Sequence, residues 1–286
     1  MSLHQFLGPP DARGPGLSGH LIGLAVGIAV AVAVALPATW LWAGRPPGGT
    51  TGTFLMLGLA TVATLAGAGA VLLIARRQGR RLASLTGPGF SAGSVGLGFV
   101  LFGALGAAFL GAAFWIDGTA LVWRITPLRL VYAGCGLVAM LGIAAAEEVV
   151  FRAYLPQGLR NRMPAAIAAL VTAIAFGLLH GLGEGWPGVA YRIVLALAMF
   201  AAIAATGNIG AAIGAHAANN VTALIMVPVD RPGSSLALIE LPGTGGDTLD
   251  EAAVVMLALR CILFIVALQL WQRHCHKKLE ITESPG

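Results

Sequence analysis

The stretch AAAEEVVFRAYL, residues 144–155, places two adjacent glutamates and an arginine inside an apolar region. The preceding run at 131–146, VYAGCGLVAMLGIAAA, carries no charge. An ionised carboxylate at the centre of a bilayer costs at least ~2.5 kcal/mol on insertion scales. Charged residues in such a setting are therefore candidates for function, provided that the rest of the chain is a membrane protein.

The composition is that of a polytopic membrane protein. Of the 286 residues, 57% are hydrophobic and 10% are charged, with a mean hydropathy of +0.85, whereas an average soluble domain has about 25% charged residues. The 40 glycines allow helices to approach closely in lipid. The basic residues lie in short loops that set topology, so we expect the lipid bilayer, and no nucleic acid, as a partner.

Apolar runs of roughly 20 residues predict transmembrane helices. The sequence therefore predicts an all-α polytopic membrane protein, with about eight transmembrane helices and a polar cavity inside the bundle. The predicted spans lie near 20–43, 54–75, 92–116, 130–152, 165–182, 189–206, 208–228 and 250–271.

The chain divides into three predicted segments. These are a disordered cytoplasmic N-terminus at 1–19, a transmembrane helical domain at 20–272 and a basic cytoplasmic tail at 273–286. Four arginines at 76–81 follow the second span, and an acidic loop follows the seventh, so the positive-inside rule predicts that both termini are cytoplasmic. The high Ala, Gly and Arg content is typical of a GC-rich bacterial genome, which predicts a bacterial plasma membrane.

Strongly polar groups are rare within the predicted spans. The acidic residues well inside them are Glu147 and Glu148, and the histidines are His180 and His216. Glu148 and Arg152 lie four residues apart in the favourable order for an ion pair on one helical face, and this pair alone could be structural. Glu147 lies about 100° around the helix without such a local partner, which makes it the carboxylate expected to react.

The spacing of Glu147 and His180 predicts that they lie at one depth. The chain reverses near Met163-Pro164, and the two residues lie sixteen positions before Met163 and sixteen after Pro164. At 1.5 Å per residue, both lie about 24 Å from the turn. Pro156 predicts a kink in the first arm.

Three motifs in these spans follow one another in order. EEVVFR fits E-E-x-x-x-R, FGLLH fits F-x-x-x-H from Phe176 to His180, and HAANN fits H-x-x-x-[N/D] from His216 to Asn220. Their order and spacing, within about 130–228, resemble the CAAX protease and bacteriocin-processing (CPBP) family of intramembrane proteases. That family includes the type II CAAX prenyl endopeptidases and the Abi proteins.

The resemblance implies an intramembrane endopeptidase. By position, Glu147 and His180 activate a water molecule, and His216 and Asn220 stabilise the oxyanion of the tetrahedral intermediate. Oxyanion donors are most effective in a water-poor site, where each contributes roughly 3–4 kcal/mol. The residues expected to support this site are Glu148, Arg152 and Phe176.

The sequence leaves two mechanisms open. The family is often named as metallopeptidases, and Glu147, His180 and His216 could form a His₂Glu zinc site with an open position. The chain has no HExxH helix, and the same residues serve a metal-free reaction in which Glu147 activates the water. We favour the metal-free reaction and keep Zn²⁺ as the alternative cofactor.

The sequence gives only weak support for a serine nucleophile. GFSAG at 89–93 matches G-x-S-x-G, but that motif needs a strand-to-helix elbow and a histidine partner. Here it follows a basic loop and opens a helix, so Ser91 is predicted to be an N-cap. Glu184, in the Gly-rich loop GLGEGWPG, is predicted to be solvated.

Two other classes of function are alternatives to a protease. Glu and His in membrane spans also form the relays of a proton-coupled transporter, but such folds usually show related halves or broken helices, and neither is evident. A catalytically idle immunity or scaffold protein would have lost a motif residue, and none is lost. The expected substrate is a membrane-anchored peptide or protein, either a prenylated C-terminal tripeptide or a peptide of another kind.

Overall fold

The helices follow the apolar runs of the sequence closely. The computed structural model describes residues 3–8, 16–42, 49–118, 121–228, 236–241 and 250–283. The helices are α1 Leu3–Leu7, α2 Leu17–Leu41, α3 Gly49–Arg77, α4 Leu82–Thr86, α5 Ala92–Asp117, α6 Pro127–Glu148, α7 Leu155–Leu159, α8 Ala165–Gly181, α9 Gly185–Thr206, α10 Gly210–Ile225 and α11 Glu251–Glu283. A π-helical turn, Val149–Tyr154, joins α6 to α7, and a 3₁₀ turn, Leu182–Glu184, joins α8 to α9.

Six helical runs in the described residues are long and apolar enough to cross a membrane, and the predicted number of about eight is not confirmed. The runs are Leu17–Ala38, Gly49–Arg77, Ala92–Ile116, Pro127–Leu159, Ala165–Thr206 and Glu251–Cys275. Two predicted spans fall in the single 42-residue run that contains α8 and α9. A third predicted span contains α10, which has only 16 residues.

The 42-residue run folds back on itself as a hairpin. Gly177 of α8 lies so close to α9 that an added Cβ would approach Ile193 to 2.5 Å and the carbonyl oxygen of Val189 to 2.9 Å. Gly185 reverses the chain with φ +74°, a backbone conformation that glycine adopts without steric cost. The hairpin therefore packs α9 antiparallel against α8.

Helix α10 is enclosed by the rest of the bundle. All residues from Gly210 to Asn219 are buried, and α10 packs against α5, α6 and α9. Glycines let α5 and α10 touch through their backbones, because a Cβ on Gly98 would clash with Ala211 and one on Gly214 would clash with Val95. The position of α10 is therefore fixed by direct backbone contact.

A small sheet, which the sequence analysis did not predict, ties loops together at one end of the bundle. Its strands are β1 Val122–Trp123, β2 Met226–Pro228 and β3 Ile239–Leu241, and β3 lies between the other two, antiparallel to β1 and parallel to β2. The strands have two or three residues each, too few for an alternating pattern to be visible. The sheet connects the approach to α6 with the end of α10.

Both ends of the chain contain helix within the described residues. Helix α1 lies in the segment predicted to be disordered, and it buries Phe6 and Leu7. Helix α11 continues through the predicted tail to Glu283. The disorder prediction for residues 1–2 and 9–15 lies outside the described residues.

The N-cap predicted for α5 is confirmed. The hydroxyl of Ser91 accepts a hydrogen bond from the backbone N–H of Ser94 at 3.2 Å, and the hydroxyl of Ser94 accepts one from the N–H of Ser91 at 3.1 Å. This reciprocal capping box satisfies two N–H groups at the start of the helix. Ser91 therefore has the structural role that its position at the start of a helix predicts.

Candidate active site

The helix that carries both glutamates widens directly after them. The N–H of Leu155 bonds to the carbonyl of Val150, five residues earlier, in place of the usual four. Pro156 lacks an N–H, and its ring would clash with a carbonyl in a regular helix. The π-helical turn accommodates Pro156, and such turns frequently lie at functional sites.

Glu147 and His180 form the part of the site that faces a groove, which we call the groove half. Oε1 of Glu147 lies 3.7 Å from Nε2 of His180, and the two side chains are 15% and 35% exposed. Nδ1 of His180 lies 2.9 Å from the carbonyl oxygen of Phe176. A carbonyl can only accept, so Nδ1 donates and Nε2 is the nitrogen directed at Glu147. The two residues expected at one depth therefore meet.

Glu148, Arg152 and His216 form the other part of the site, which we call the sealed half. Oε2 of Glu148 lies 3.4 Å from Nε of Arg152, and both side chains are completely buried. Oε1 of Glu148 lies 2.8 Å from Nδ1 of His216. The predicted Glu148–Arg152 ion pair is present, and it extends to a histidine from α10.

His216 connects the two halves. Its Nε2 lies 3.5 Å from Oε2 of Glu147, while its Nδ1 contacts Glu148, and the side chain is 3% exposed. A carboxylate on Nδ1 fixes the orientation of an imidazole ring and directs Nε2 to the opposite side. The adjacent glutamates therefore contact opposite edges of one imidazole ring.

Phe176 packs at the centre of the cluster. The guanidinium of Arg152 lies 4.2 Å from the centre of the Phe176 ring, which suits a cation–π interaction. The same ring lies 4.3 Å from the His180 ring and 5.8 Å from the His216 ring. Nη1 and Nη2 of Arg152 have no hydrogen-bond acceptor among the described residues. The guanidinium instead contacts the face of the Phe176 ring and the carboxylate of Glu148.

The predicted Asn220 is not brought into contact with this cluster. It is half-buried on α10, one turn after His216, and it makes no side-chain hydrogen bond with the part of the chain that the structure describes. The neighbouring Asn219 is buried and accepts a hydrogen bond of 2.9 Å from the hydroxyl of Tyr191 on α9. The sequence analysis did not predict this pair, although the adjacent asparagines of HAANN and a tyrosine within a span were visible signals.

A groove leads from the outside of the bundle to Glu147 and His180. It has a volume of about 290 Å³ and is lined by α2, α3, the end of α6, the π-helical turn and α8. Most of the lining is apolar, including Leu24, Ile28 and Leu179. The predicted polar cavity is thus not confirmed, since the space that reaches the groove half is largely apolar.

The donor types for a zinc site are close together, but they do not form a metal centre here. Among the described residues, no group of three or more His, Cys, Asp or Glu side chains is arranged to hold a metal ion. Both histidine Nε2 atoms instead contact the carboxylate of Glu147 directly.

Glu184, which the sequence predicts to be solvated, is only partly so. Its side chain is 34% exposed and its Oε2 lies 3.2 Å from Nη2 of Arg192. This ion pair joins the 3₁₀ turn to α9 at the closed end of the hairpin. A partly exposed pair of this kind contributes about 0–1 kcal/mol to stability.

A comparison of the sequence with known protein families supports the class of protein that the fold and the glutamate–histidine cluster indicate. Six apolar helical runs in the part of the chain that the structure describes and a glutamate–histidine cluster between helices indicate an integral membrane protein. Residues 129–222 match the family described as Type II CAAX prenyl endopeptidase Rce1-like. This region is 94 of the 286 residues and contains all the residues of both halves of the site.

The resemblance drawn from the three motifs is confirmed by this match. The match supports the CPBP/CAAX protease family for these 94 residues, and that family implies a protease. No curated protein matches the chain. Helices α2, α3, α5 and α11 lie outside the matched region.

Proposed function

We propose that this protein is an intramembrane endopeptidase in which Glu147 activates a water molecule for attack on a peptide bond. The observation that carries the proposal is the convergence of two histidine Nε2 atoms on one carboxylate, at 3.7 Å and 3.5 Å. Glu147 and His180 are also the ionisable residues that line a largely apolar groove. A general base must lie within hydrogen-bond reach of the proton that it removes, directly or through one water.

The groove half is suited to holding the reacting water. The separation between Glu147 and His180 exceeds a normal hydrogen bond, and a water that lies beside the two atoms can bond to both. Glu147 accepts one proton of this water, and the oxygen attacks the carbonyl carbon of the substrate. When the carbon–nitrogen bond breaks, the proton on Glu147 passes to the leaving nitrogen, so that an amine and a carboxyl product form.

The sealed half is suited to stabilising the negative charge that develops on the substrate oxygen. His216 can donate from Nε2 while Nδ1 donates to Glu148 only if both ring nitrogens carry protons. With His216 protonated, two negative glutamates face two positive groups, Arg152 and His216, and the cluster is neutral. A neutral cluster suits a water-poor interior, where an uncompensated charge is costly.

Asn220 is the proposed second donor to the substrate oxygen. It lies one turn beyond His216 on α10, and its amide has no partner among the described residues. An amide on the same helical face as His216 can point toward the same region. Its contribution is therefore a prediction for the substrate complex.

The apolar lining of the groove supports a membrane-associated peptide or protein as the substrate. A soluble polar peptide would lose hydrogen bonds to water on entering it without replacing them. A segment tethered in the bilayer can place apolar atoms against α2 and α3 and bring its scissile bond to Glu147. Both prenylated and unprenylated membrane peptides satisfy this requirement.

The test is hydrolysis of a panel of membrane-tethered peptides, prenylated and unprenylated, by the purified protein in liposomes. We expect cleavage of at least one class and none by Glu147→Ala. If the protein cleaves no tethered peptide but moves protons across the liposome membrane in a Glu147-dependent manner, the result would contradict the protease and support a proton-coupled transporter.

A further inference from the structure

A second and larger groove lies on the side of α3 away from the candidate active site. It has a volume of about 640 Å³ and is bounded by α2, α3 and the short α4. Its lining is almost entirely apolar, with Val30, Ala66, Ala70, Leu73 and Leu85 among the contributing residues. None of the residues of the candidate active site lines it.

The length of this groove matches one leaflet of a bilayer. The α3 residues that line it run from Ala66 to Arg76. Ten residues of helix rise about 15 Å, which is half of the roughly 30 Å hydrocarbon thickness. The groove can therefore hold a fatty-acyl chain along its length.

Positive charge lies at one end of the groove. Arg76 and Arg80 line that end, and Arg77 and Arg81 flank it. Arg76, Arg77 and Arg81 are exposed and form no ion pair with other described residues. The sequence has no acidic residue between Asp11 and Asp117, so no carboxylate in this segment offsets the arginines.

We propose that this groove binds an anionic phospholipid, with one acyl chain along α3 and the phosphate group at Arg76 and Arg77. Clusters of four or more basic residues directly beyond a transmembrane helix attract anionic lipids. The apolar groove adds a place for the chain, and the arginines select the headgroup. A zwitterionic lipid of the same chain length fits the groove but gains less from the arginines.

The site is linked to the helix that carries the candidate catalytic residues. Nη1 of Arg80 donates to Oε1 of Gln157 on α7, and Nε2 of Gln157 donates to the carbonyl of Ser84 at 2.8 Å. The hydroxyl of Tyr154, in the π-helical turn, donates to Oε1 of Gln78 at 3.3 Å. A lipid that orders residues 76–84 therefore also stabilises the segment that follows Arg152.

The experiment measures thermal stability and lipid retention in detergent. The purified protein receives phosphatidylglycerol or phosphatidylcholine with identical acyl chains, and retained lipid is counted by native mass spectrometry. A third arm uses glycerol phosphate, which has the anionic group without the chains. Neither readout depends on peptidase activity, so the result is independent of the proposed function.

Two pairs of variants separate the groove from the charge. Gly69→Leu fills the groove, and Gly58→Leu is its control, because neither glycine has another atom within 4 Å of an added Cβ and only Gly69 lines the groove. The double variant Arg76→Gln/Arg77→Gln removes charge. Arg273→Gln, at an exposed position on α11, removes charge elsewhere.

We expect phosphatidylglycerol to raise the melting temperature and to be retained in preference to phosphatidylcholine. Gly69→Leu should lose this preference and Gly58→Leu should keep it. Each arginine removed at 76 and 77 should weaken binding about fivefold, while Arg273→Gln should have no such effect. Equal effects of the two lipids, full stabilisation by glycerol phosphate, or unchanged binding in Gly69→Leu would each overturn the proposal.

Discussion

The groove half and the sealed half of the cluster share a helix, and their leading residues are adjacent in the chain, but their surroundings differ. Glu147 is 15% exposed and faces two histidine nitrogens and a groove. Glu148 is completely buried between an arginine and a histidine. Glu147 is accessible, whereas Glu148 is enclosed by groups of opposite charge. We therefore expect Glu147 to take part in the reaction and Glu148 to stabilise the fold.

The largest expected effect is the loss of activity in Glu147→Gln. The change removes the proton acceptor at almost constant volume, and general-base catalysis contributes about 10²–10⁴-fold. We expect no detectable hydrolysis of a tethered peptide in liposomes. The melting temperature in detergent should fall less than that of Glu148→Gln, since the Glu147 side chain is 15% exposed whereas Glu148 is completely buried.

Glu251→Gln is the matched control for this variant. Glu251 is exposed in the first turn of α11, so the same chemical change there should leave both activity and stability intact. Wild-type activity in Glu147→Gln would remove Glu147 from the proposed mechanism.

The next largest effect is the loss of stability in Glu148→Gln and in Arg152→Gln. Removing one partner leaves the other charged and buried, at a cost of roughly 3–5 kcal/mol. The double variant Glu148→Gln/Arg152→Met should be more stable than either single variant, because it leaves neither of these charges uncompensated. Thermal melting in detergent measures all three.

The proposed difference between the two halves is wrong if Glu148→Gln has the same melting temperature as the wild type. It is also wrong if Glu147→Gln loses as much stability as Glu148→Gln. Either result would mean that the two carboxylates have equivalent surroundings in the membrane.

His216→Gln tests the residue that connects the halves and, with it, the metal. If His216 donates a hydrogen bond to the substrate oxygen, glutamine can still donate, and the loss should be within the roughly 10²–10³-fold measured for such donors. We expect residual activity and no stoichiometric zinc in the purified protein. Metal analysis and activity after treatment with a strong chelator measure both properties.

A different outcome would identify a zinc site without changing the class of enzyme. One tightly bound zinc per chain, lost together with activity in His216→Gln, would show that Glu147, His180 and His216 act as ligands. Restoration of activity by zinc after chelation would support the same conclusion.

The smallest expected effect is that of Tyr191→Phe. The change removes an uncharged hydrogen bond to Asn219, at 2.9 Å, next to the turn of α10 that carries His216. A single buried hydrogen bond of this kind contributes about 0.5–1.5 kcal/mol. Thermal melting should show a small loss, and peptide hydrolysis should change by less than tenfold, whereas a loss as large as that of Glu148→Gln would extend the sealed half to α9.

Local sequence patterns predicted the parts of the site that depend on helical geometry. The i to i+4 spacing predicted the Glu148–Arg152 pair, and the equal distances from the turn at 163–164 placed Glu147 opposite His180. Both follow from the fixed rise and rotation of an α-helix. His216 stood out as a histidine inside an apolar run, and the motif resemblance assigned it to the site.

Features that depend on packing between distant elements were not predictable in the same way. The contact between Glu148 and His216 spans 68 residues and depends on how closely α10 approaches α6. Arg260 was not predicted to have a buried role, although an arginine inside the last predicted span was a visible signal. It is buried on α11, and its Nη2 donates to the carbonyl of Phe102 at 2.8 Å.

The enclosure of α10 bears on how the protein is synthesised. Gly210 to Asn219 are buried, so this stretch takes its place through contacts with other helices, and its His216 would be unfavourable in lipid. Helices α5, α6 and α9 precede it in the chain and form the space that it occupies. The cluster is therefore completed late in translation, because a nascent chain that ends before α10 lacks His216.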